Sequence, residues 1–194
     1  MVAPTDNPAA VTWQRTQHAN GRLAAETPLV DGLPQGTERR FREDGTLLVS
    51  VEFVRGRKEG VEREYFLDGR VRLELPYRGG RFDGRWREFY PNGQLKHETP
   101  VVAGQCHGLQ RLYATAGRLL LAELWDHGTG VWREYDDDGR LRCESAYVAG
   151  WRDGPYREFD AAGKVSREWY YVAGWRRSRA EWQAALRARQ EGRP

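Results

Sequence analysis

The stretch Arg85-Trp86-Arg87-Glu88-Phe89-Tyr90-Pro91-Asn92-Gly93-Gln94-Leu95, followed by Glu98, Val101, Gly104 and Gly108, decides the fold. Aromatic and apolar residues flank Asn92-Gly93, a dipeptide that marks a tight turn between two strands. The same spacing recurs along the chain. Turn glycines stand at Gly21, Gly45, Gly69, Gly93, Gly117, Gly139 and Gly163, in steps of 24 residues with one step of 22. A second series lies eleven residues on, at Gly32, Gly56, Gly80, Gly104, Gly128, Gly150 and Gly174. A third runs Gly36, Gly60, Gly84, Gly108, Gly130 and Gly154, with Ser178 in the seventh place. Twenty of the 22 glycines fall on three positions of one period, so the chain is a repeat array.

The seven units are 13–36, 37–60, 61–84, 85–108, 109–130, 131–154 and 155–178. Position three of the unit is Arg in all of them: Arg15, Arg39, Arg63, Arg87, Arg111, Arg133 and Arg157. Position five is aromatic in six (Phe41, Tyr65, Phe89, Tyr113, Tyr135, Phe159), and position eleven is Leu or Val throughout. Position fourteen is Glu in five units, and position seventeen is always large and apolar, from Leu29 and Phe53 to Tyr147 and Tyr171.

These spacings describe a β-hairpin per unit, with no helical rhythm inside the array. Pro91-Asn92-Gly93 suits a three-residue loop, a type I turn closed by a glycine in the left-handed region. Such a loop sets position four opposite position twelve. Glu64 then faces Arg72, Glu88 faces Lys96, Glu134 faces Arg142 and Leu112 faces Leu120, all favourable cross-strand pairs. The register puts positions five, eleven and seventeen on one face, the expected core, and the glutamates of positions four and fourteen on the other. The unvarying Arg falls on the apolar face by parity, although a two-residue turn would set it opposite the position-fourteen Glu. Its stem is expected to lie along an aromatic ring with the guanidinium at the lip of the sheet.

The unit resembles the variant form of the MORN repeat (membrane occupation and recognition nexus), and in particular the bacterial MORN-variant antitoxins of toxin–antitoxin systems. The resemblance covers residues 13–178. It implies an all-β fold, an elongated antiparallel β-meander of about seven stacked 24-residue hairpins. It also implies a binding role, since MORN arrays serve as scaffolds, lipid-associated modules and protein binders. The first unit departs from the pattern where Gln17 replaces the aromatic. The fifth is two residues short, which should kink the array near Trp125 to Gly130.

Composition agrees with an array. Of the 194 residues only 39% are hydrophobic, a thin supply for one spherical core but enough for units that bury surface only against their neighbours. The 8 Trp, 9 Tyr and 6 Phe exclude a disordered chain. Residues 1–12, with Pro4 and Pro8, read as a loose lead-in without the cationic head and apolar stretch of a signal peptide, and no run is long enough to span a membrane. A cytoplasmic protein is expected, with Cys106 and Cys143 as reduced thiols. Residues 179–194 form a basic helix and tail: Ser178-Arg179-Ala180-Glu181 is a capping box, and Trp182 and Leu186 recur at helical spacing to cover the last hairpin.

Catalytic chemistry finds no footing. His18, His97, His107 and His127 fall at four different repeat positions, and no nucleophile elbow, P-loop or His-Glu-x-x-His is present. Cys106-His107 lacks a second pair at zinc spacing, so neither metal nor cofactor is expected. Six arginines after Gly174 against two glutamates give the tail +4 and leave residues 1–174 at −1. The pI near 9.0 therefore belongs to the tail, and a neutral array is no phosphate-binding footprint. The tail offers a possible contact to acidic membrane.

Protein binding remains. The face away from the expected core carries Trp86, Trp132 and Tyr156 at position two and Phe66 and Tyr90 at position six, among Glu88, Glu134 and Glu158. Aromatic rings in an acidic surround suit a basic partner. The expectation is a non-enzymatic antitoxin or immunity-type protein that neutralises a toxin or effector by occlusion, with a scaffold or peripheral-membrane module as the alternative.

Overall fold

Two kinds of turn build every repeat. The computed structural model describes residues 10–136 and 138–191, and the chain divides after Gly93 into two compact units. Most of the expected lead-in and the last three residues of the tail lie outside the described residues. The first unit holds β1 (Thr12–Gln17), β2 (Leu23–Val30), β3 (Leu33–Pro34), β4 (Gly36–Phe41), β5 (Leu47–Val54), β6 (Arg57–Lys58), β7 (Gly60–Tyr65), β8 (Val71–Arg78), β9 (Arg81–Phe82) and β10 (Gly84–Phe89). Its strands follow the order β1-β2-β4-β5-β7-β8-β10, with the two-residue strands β3, β6 and β9 folded back on the ends of β2, β5 and β8. The second unit holds β11 (Leu95–Val102), β12 (Gln105–Cys106), β13 (Gly108–Tyr113), β14 (Leu119–Trp125), β15 (Gly130–Tyr135), β16 (Leu141–Val148), β17 (Trp151–Phe159), β18 (Val165–Val172), β19 (Trp175–Arg177) and the helix α1 (Arg179–Gln190). Here β11-β13-β14 form one antiparallel run, and β15-β16-β17-β18-β19 form a separate sheet. The interruption falls at the short fifth repeat, where a lone bridge between Asp126 and Thr129 replaces the short strand.

The Asn/Asp-Gly turns are three-residue loops, as their sequence predicts. In the third repeat Gly69 N–H donates to Phe66 O (3.1 Å), Phe66 N–H donates to Arg70 O (2.8 Å), and Gly69 sits at φ 82°. The second glycine series makes a further hairpin turn that the one-hairpin reading does not anticipate. Asp31 (φ 51°) and Gly32 (φ 77°) are both left-handed, the signature of a type I′ turn, and they return Leu33–Pro34 antiparallel to Leu29–Val30. Equivalent turns recur at Arg55-Gly56, Ala103-Gly104, His127-Gly128, Ala149-Gly150 and Ala173-Gly174.

Neighbouring I′ turns are tied to one another. The glycine N–H donates to a carbonyl of the preceding repeat, as in Gly56 to Pro34 O (2.8 Å), Gly128 to Cys106 O (2.7 Å) and Gly174 to Arg152 O (2.8 Å). The N–H just before it is caught by a side chain of that same preceding repeat: Arg55 by Gln35, Gly79 by Glu59, His127 by His107, Ala149 by Thr129 and Ala173 by Asp153. These bonds satisfy turn N–H groups that the ladder leaves over.

The register departs from the sequence expectation by one residue. Tyr65 pairs with Val71 as the three-residue loop requires, but Glu64 pairs with Leu73 and Arg63 with Glu74, because a β-bulge absorbs Arg72. Leu112 likewise pairs with Leu121 instead of Leu120, and Glu134 with Cys143 instead of Arg142. A bulge inverts the facing of everything beyond it. Positions two, four, thirteen, fifteen and seventeen therefore share one face, while the position-three Arg, the position-five ring and the position-fourteen Glu share the other. The expected core face of positions five, eleven and seventeen is corrected accordingly. The buried residues His97, Thr99, Val101, Gln110, Leu112, Trp125, Cys143 and Ser145 all lie on the position-seventeen face.

That inversion explains the unvarying Arg, whose guanidinium does not sit at the lip. Arg63 Nε meets Glu74 (3.1 Å), which also meets Arg87 Nη1 (3.5 Å). Arg133 Nε meets Glu144 (3.1 Å), Glu144 meets Arg157 Nη1 (3.0 Å), and Arg157 Nε meets Glu168 (2.8 Å). Glu74 and Glu144 are each gripped by the Arg of their own repeat and that of the next, and Glu168 by the Arg of its own. Helix α1 begins on the complete Ser178–Glu181 capping box and rests on the last hairpin through Trp182, 4.9 Å from the Tyr170 ring, and through Arg189, bidentate to Asp153 at 2.7 Å.

Candidate functional site

The eight aromatic and acidic candidates fall into two groups, one in each unit. In the first unit Phe66, Trp86 and Glu88 are half-buried, and Tyr90 is only 6% exposed beside the Asn92-Gly93 turn, whose Gly93 N–H donates to its carbonyl (2.8 Å). Tyr90 is thus a packed ring and offers little surface.

In the second unit the ladder sets the other four side by side. Trp132 pairs with Ser145, Ser145 with Tyr156, and Tyr156 with Trp169, so three aromatic rings span four strands in one row. The adjacent row reads Glu134, Cys143, Glu158, Arg167. Indole and phenol are held by the carboxylates two residues on: Trp132 Nε1 donates to Glu134 (3.1 Å) and the Tyr156 hydroxyl donates to Glu158 (3.3 Å). Tyr156 also lies 5.2 Å from Trp169, and Trp132 meets His97 edge-on at 4.7 Å. A third row adds Tyr147 and Tyr171, with Arg152 donating to the Tyr147 hydroxyl (3.2 Å) and its guanidinium over Tyr156 (5.3 Å) and Tyr171 (5.5 Å). Along the I′-turn edge of the same sheet, Trp151 and Trp175 stand 65% and 70% exposed.

Sequence reasoning missed Trp169, Tyr147 and Tyr171 because the bulge sends positions fifteen and seventeen to this face, and missed Arg152 because it lies on the short return strand beyond the I′ turn. A signal for the two edge tryptophans existed: they occupy the same position in consecutive repeats.

Burial shifts the titratable groups of this face. Burial, then the charge of Glu134, pushes the Cys143 thiol up, which keeps it protonated and unreactive. Burial and the neighbouring thiol push the Tyr156 phenol up to about 12. His97 is held between Thr99 Oγ1 (2.7 Å) and Gln110 Nε2 (2.7 Å), and Gln110 accepts the Trp125 indole N–H (2.6 Å). Burial pushes that imidazole down to about 3, so it is neutral and serves no proton transfer near neutral pH. A recess of about 340 Å³ opens beside this face, lined by Cys106, Trp125, Trp132 and Tyr147. No described helix is long and apolar enough to cross a membrane.

A comparison with curated proteins finds no match. The family model of the MORN repeat variant matches residues 82–102 and 152–173, once across Asn92-Gly93 and once across the Tyr156–Trp169 hairpin. MORN repeats are protein- and membrane-binding modules rather than catalytic ones, and this chain carries their variant form in those two places.

Proposed function

We propose that this chain is a non-catalytic binding protein of the antitoxin or immunity type, which neutralises a protein partner by covering its working surface. The observation that carries this reading is the row Trp132–Tyr156–Trp169, with Glu134 and Glu158 beside it and Arg152 over the Tyr156 ring. Large rings fixed by hydrogen bonds lose little conformational freedom on binding, and such residues dominate interface energies. The exposed carboxylate of Glu134 favours a basic partner, a toxin or effector that itself engages acidic substrate. Co-expression with the product of the neighbouring gene tests it. A stoichiometric complex is expected, and Trp132→Ala with Tyr156→Ala should weaken it by about 2–4 kcal/mol, roughly 30- to 1,000-fold. Absence of a complex, or a complex indifferent to both substitutions, overturns the reading.

The alternative membrane role rests on the basic tail. Arg189 is committed to Asp153 and Arg179 lies 5.9 Å from the Tyr170 ring, which leaves the helix less charge to offer a lipid surface. Liposome sedimentation with and without residues 179–194 separates the two roles, since only the membrane module loses binding with the tail.

A further inference from the structure

We propose that His107, Asp126 and His127 form a surface site for a borderline divalent transition-metal ion, with zinc as the fitting cation. One ligand atom from each residue lies within 4.8 Å of the other two. Asp126 Oδ1 is 3.4 Å from His107 Nδ1 and 2.6 Å from His127 Nδ1, and the two imidazole centroids are 4.2 Å apart. Ligands about 2.0–2.1 Å from a tetrahedral zinc stand roughly 3.3 Å from one another, so the first of these separations already fits. The second is a hydrogen bond, and it widens to that value when a cation takes the place of the shared proton.

The stacking of I′ turns assembles this set. At five junctions the side chain just before the third glycine reaches the first turn residue of the next repeat. Elsewhere the pair is Gln35 with Arg55, Thr129 with Ala149 or Asp153 with Ala173, and the side chain only accepts a backbone N–H. Here both partners are histidines, twenty residues apart, and the residue before the turn is an aspartate. The backbone beneath is pinned: Asp126 and Thr129 exchange both N–H bonds at 2.9 Å, and Gly128 N–H donates to Cys106 O at 2.7 Å. The ligands therefore reach the ion by side-chain rotation about a fixed turn, with His107 Nδ1 giving up the His127 N–H that it now accepts at 3.3 Å.

Two imidazoles and one carboxylate are the donor set of zinc, nickel or copper, and too nitrogen-rich for calcium or magnesium. Their side chains are 41%, 75% and 71% exposed, which leaves the remaining coordination positions open to water or to an outside donor. Sequence spacing conceals the set because His107 meets the adjacent Asp126 and His127 only through the fold.

Untagged full-length protein titrated calorimetrically with zinc should bind one equivalent. His107→Ala and His127→Asn should each weaken that binding more than about 100-fold, beyond the roughly 10–100-fold that loss of an outer-shell partner costs, with unchanged circular dichroism. Asn is chosen because it tolerates the left-handed turn position of His127. His18→Gln, far along the sequence, should leave binding intact. Cobalt in place of zinc should give visible bands without a thiolate charge-transfer band. Failure to bind one equivalent, retention of affinity in the His107→Ala/His127→Asn double variant, or a thiolate band that vanishes in Cys106→Ser overturns the assignment.

Discussion

Glu144→Gln tests whether the ladder of arginines and glutamates holds the strands together. Glu144 accepts Arg133 Nε at 3.1 Å and Arg157 Nη1 at 3.0 Å, so one carboxylate links three adjacent strands. Its side chain is 17% exposed, against 23% for Arg133 and 37% for Arg157. These pairs lie between fully solvated ones, worth about 0–1 kcal/mol, and buried ones, whose disruption costs about 3–5 kcal/mol. With solvent screening taken into account, each contact contributes on the order of 0.5–1 kcal/mol, and the substitution should cost about 1–2 kcal/mol. Glu158→Gln is the control, because Arg167 is 68% exposed and 3.4 Å away and the Gln oxygen still accepts the Tyr156 hydroxyl; it should cost under about 0.5 kcal/mol. Urea unfolding followed by tryptophan fluorescence reads the second unit, which holds six of the eight tryptophans. Double-mutant cycles with Arg133→Met and Arg157→Met give the coupling of each arm. Couplings below about 0.3 kcal/mol on both arms, with Glu144→Gln no costlier than Glu158→Gln, would refute the argument that the ladder fixes the Arg.

Two other outcomes follow from the same geometry. His97 is pushed down to about 3 by burial, while the unfolded chain takes up its proton near 6.5. Its contribution is therefore complete above pH 6.5 and is lost as pH falls through the window toward 3, at up to about 1.4 kcal/mol per pH unit. His97→Gln should flatten the acid limb of stability by one proton, and identical slopes would contradict the burial argument. Gly84 sits at φ 132° with an added Cβ 2.8 Å from Pro76 Cβ, whereas Gly93 at φ 86° has open space. Alanine should cost about 3 kcal/mol or more at Gly84 but only about 1 kcal/mol at Gly93, measured by thermal melts; equal losses would mean that backbone conformation alone matters.

The repeat, the antiparallel meander, the three-residue Asn-Gly loop and the helix cap were all legible, because each depends on residues close together in the chain. The faces were not. Two sequence facts conflicted: Pro91 argued for a three-residue loop, while the constant Arg and the frequent Glu asked to sit opposite each other. Both are true, and the bulge at residues such as Arg72 reconciles them. An extra residue in one strand leaves little compositional trace, since Arg72 still reaches Glu64 across the bulge. The error carried into the candidate site. Trp132, Glu134, Tyr156 and Glu158 do come together, but on the face that also buries His97 and Trp125. Their neighbour Tyr171, at position seventeen, reads by parity onto the opposite face. The I′ turns escaped notice because Arg55, Ala103 and Ala149 occupy left-handed positions that sequence rules reserve for Gly, Asn or Asp.

The tie between stacked I′ turns asks very little of its residues. Any side chain with an acceptor serves at the accepting end, whether amide, carboxylate, hydroxyl or imidazole, and the donating end contributes only a backbone N–H. Within each unit the stacked turns are thus a row of interchangeable sockets, where surface chemistry changes one junction at a time while the strands beneath keep their hydrogen bonds. An array built this way can vary what it presents along one edge without renegotiating its fold.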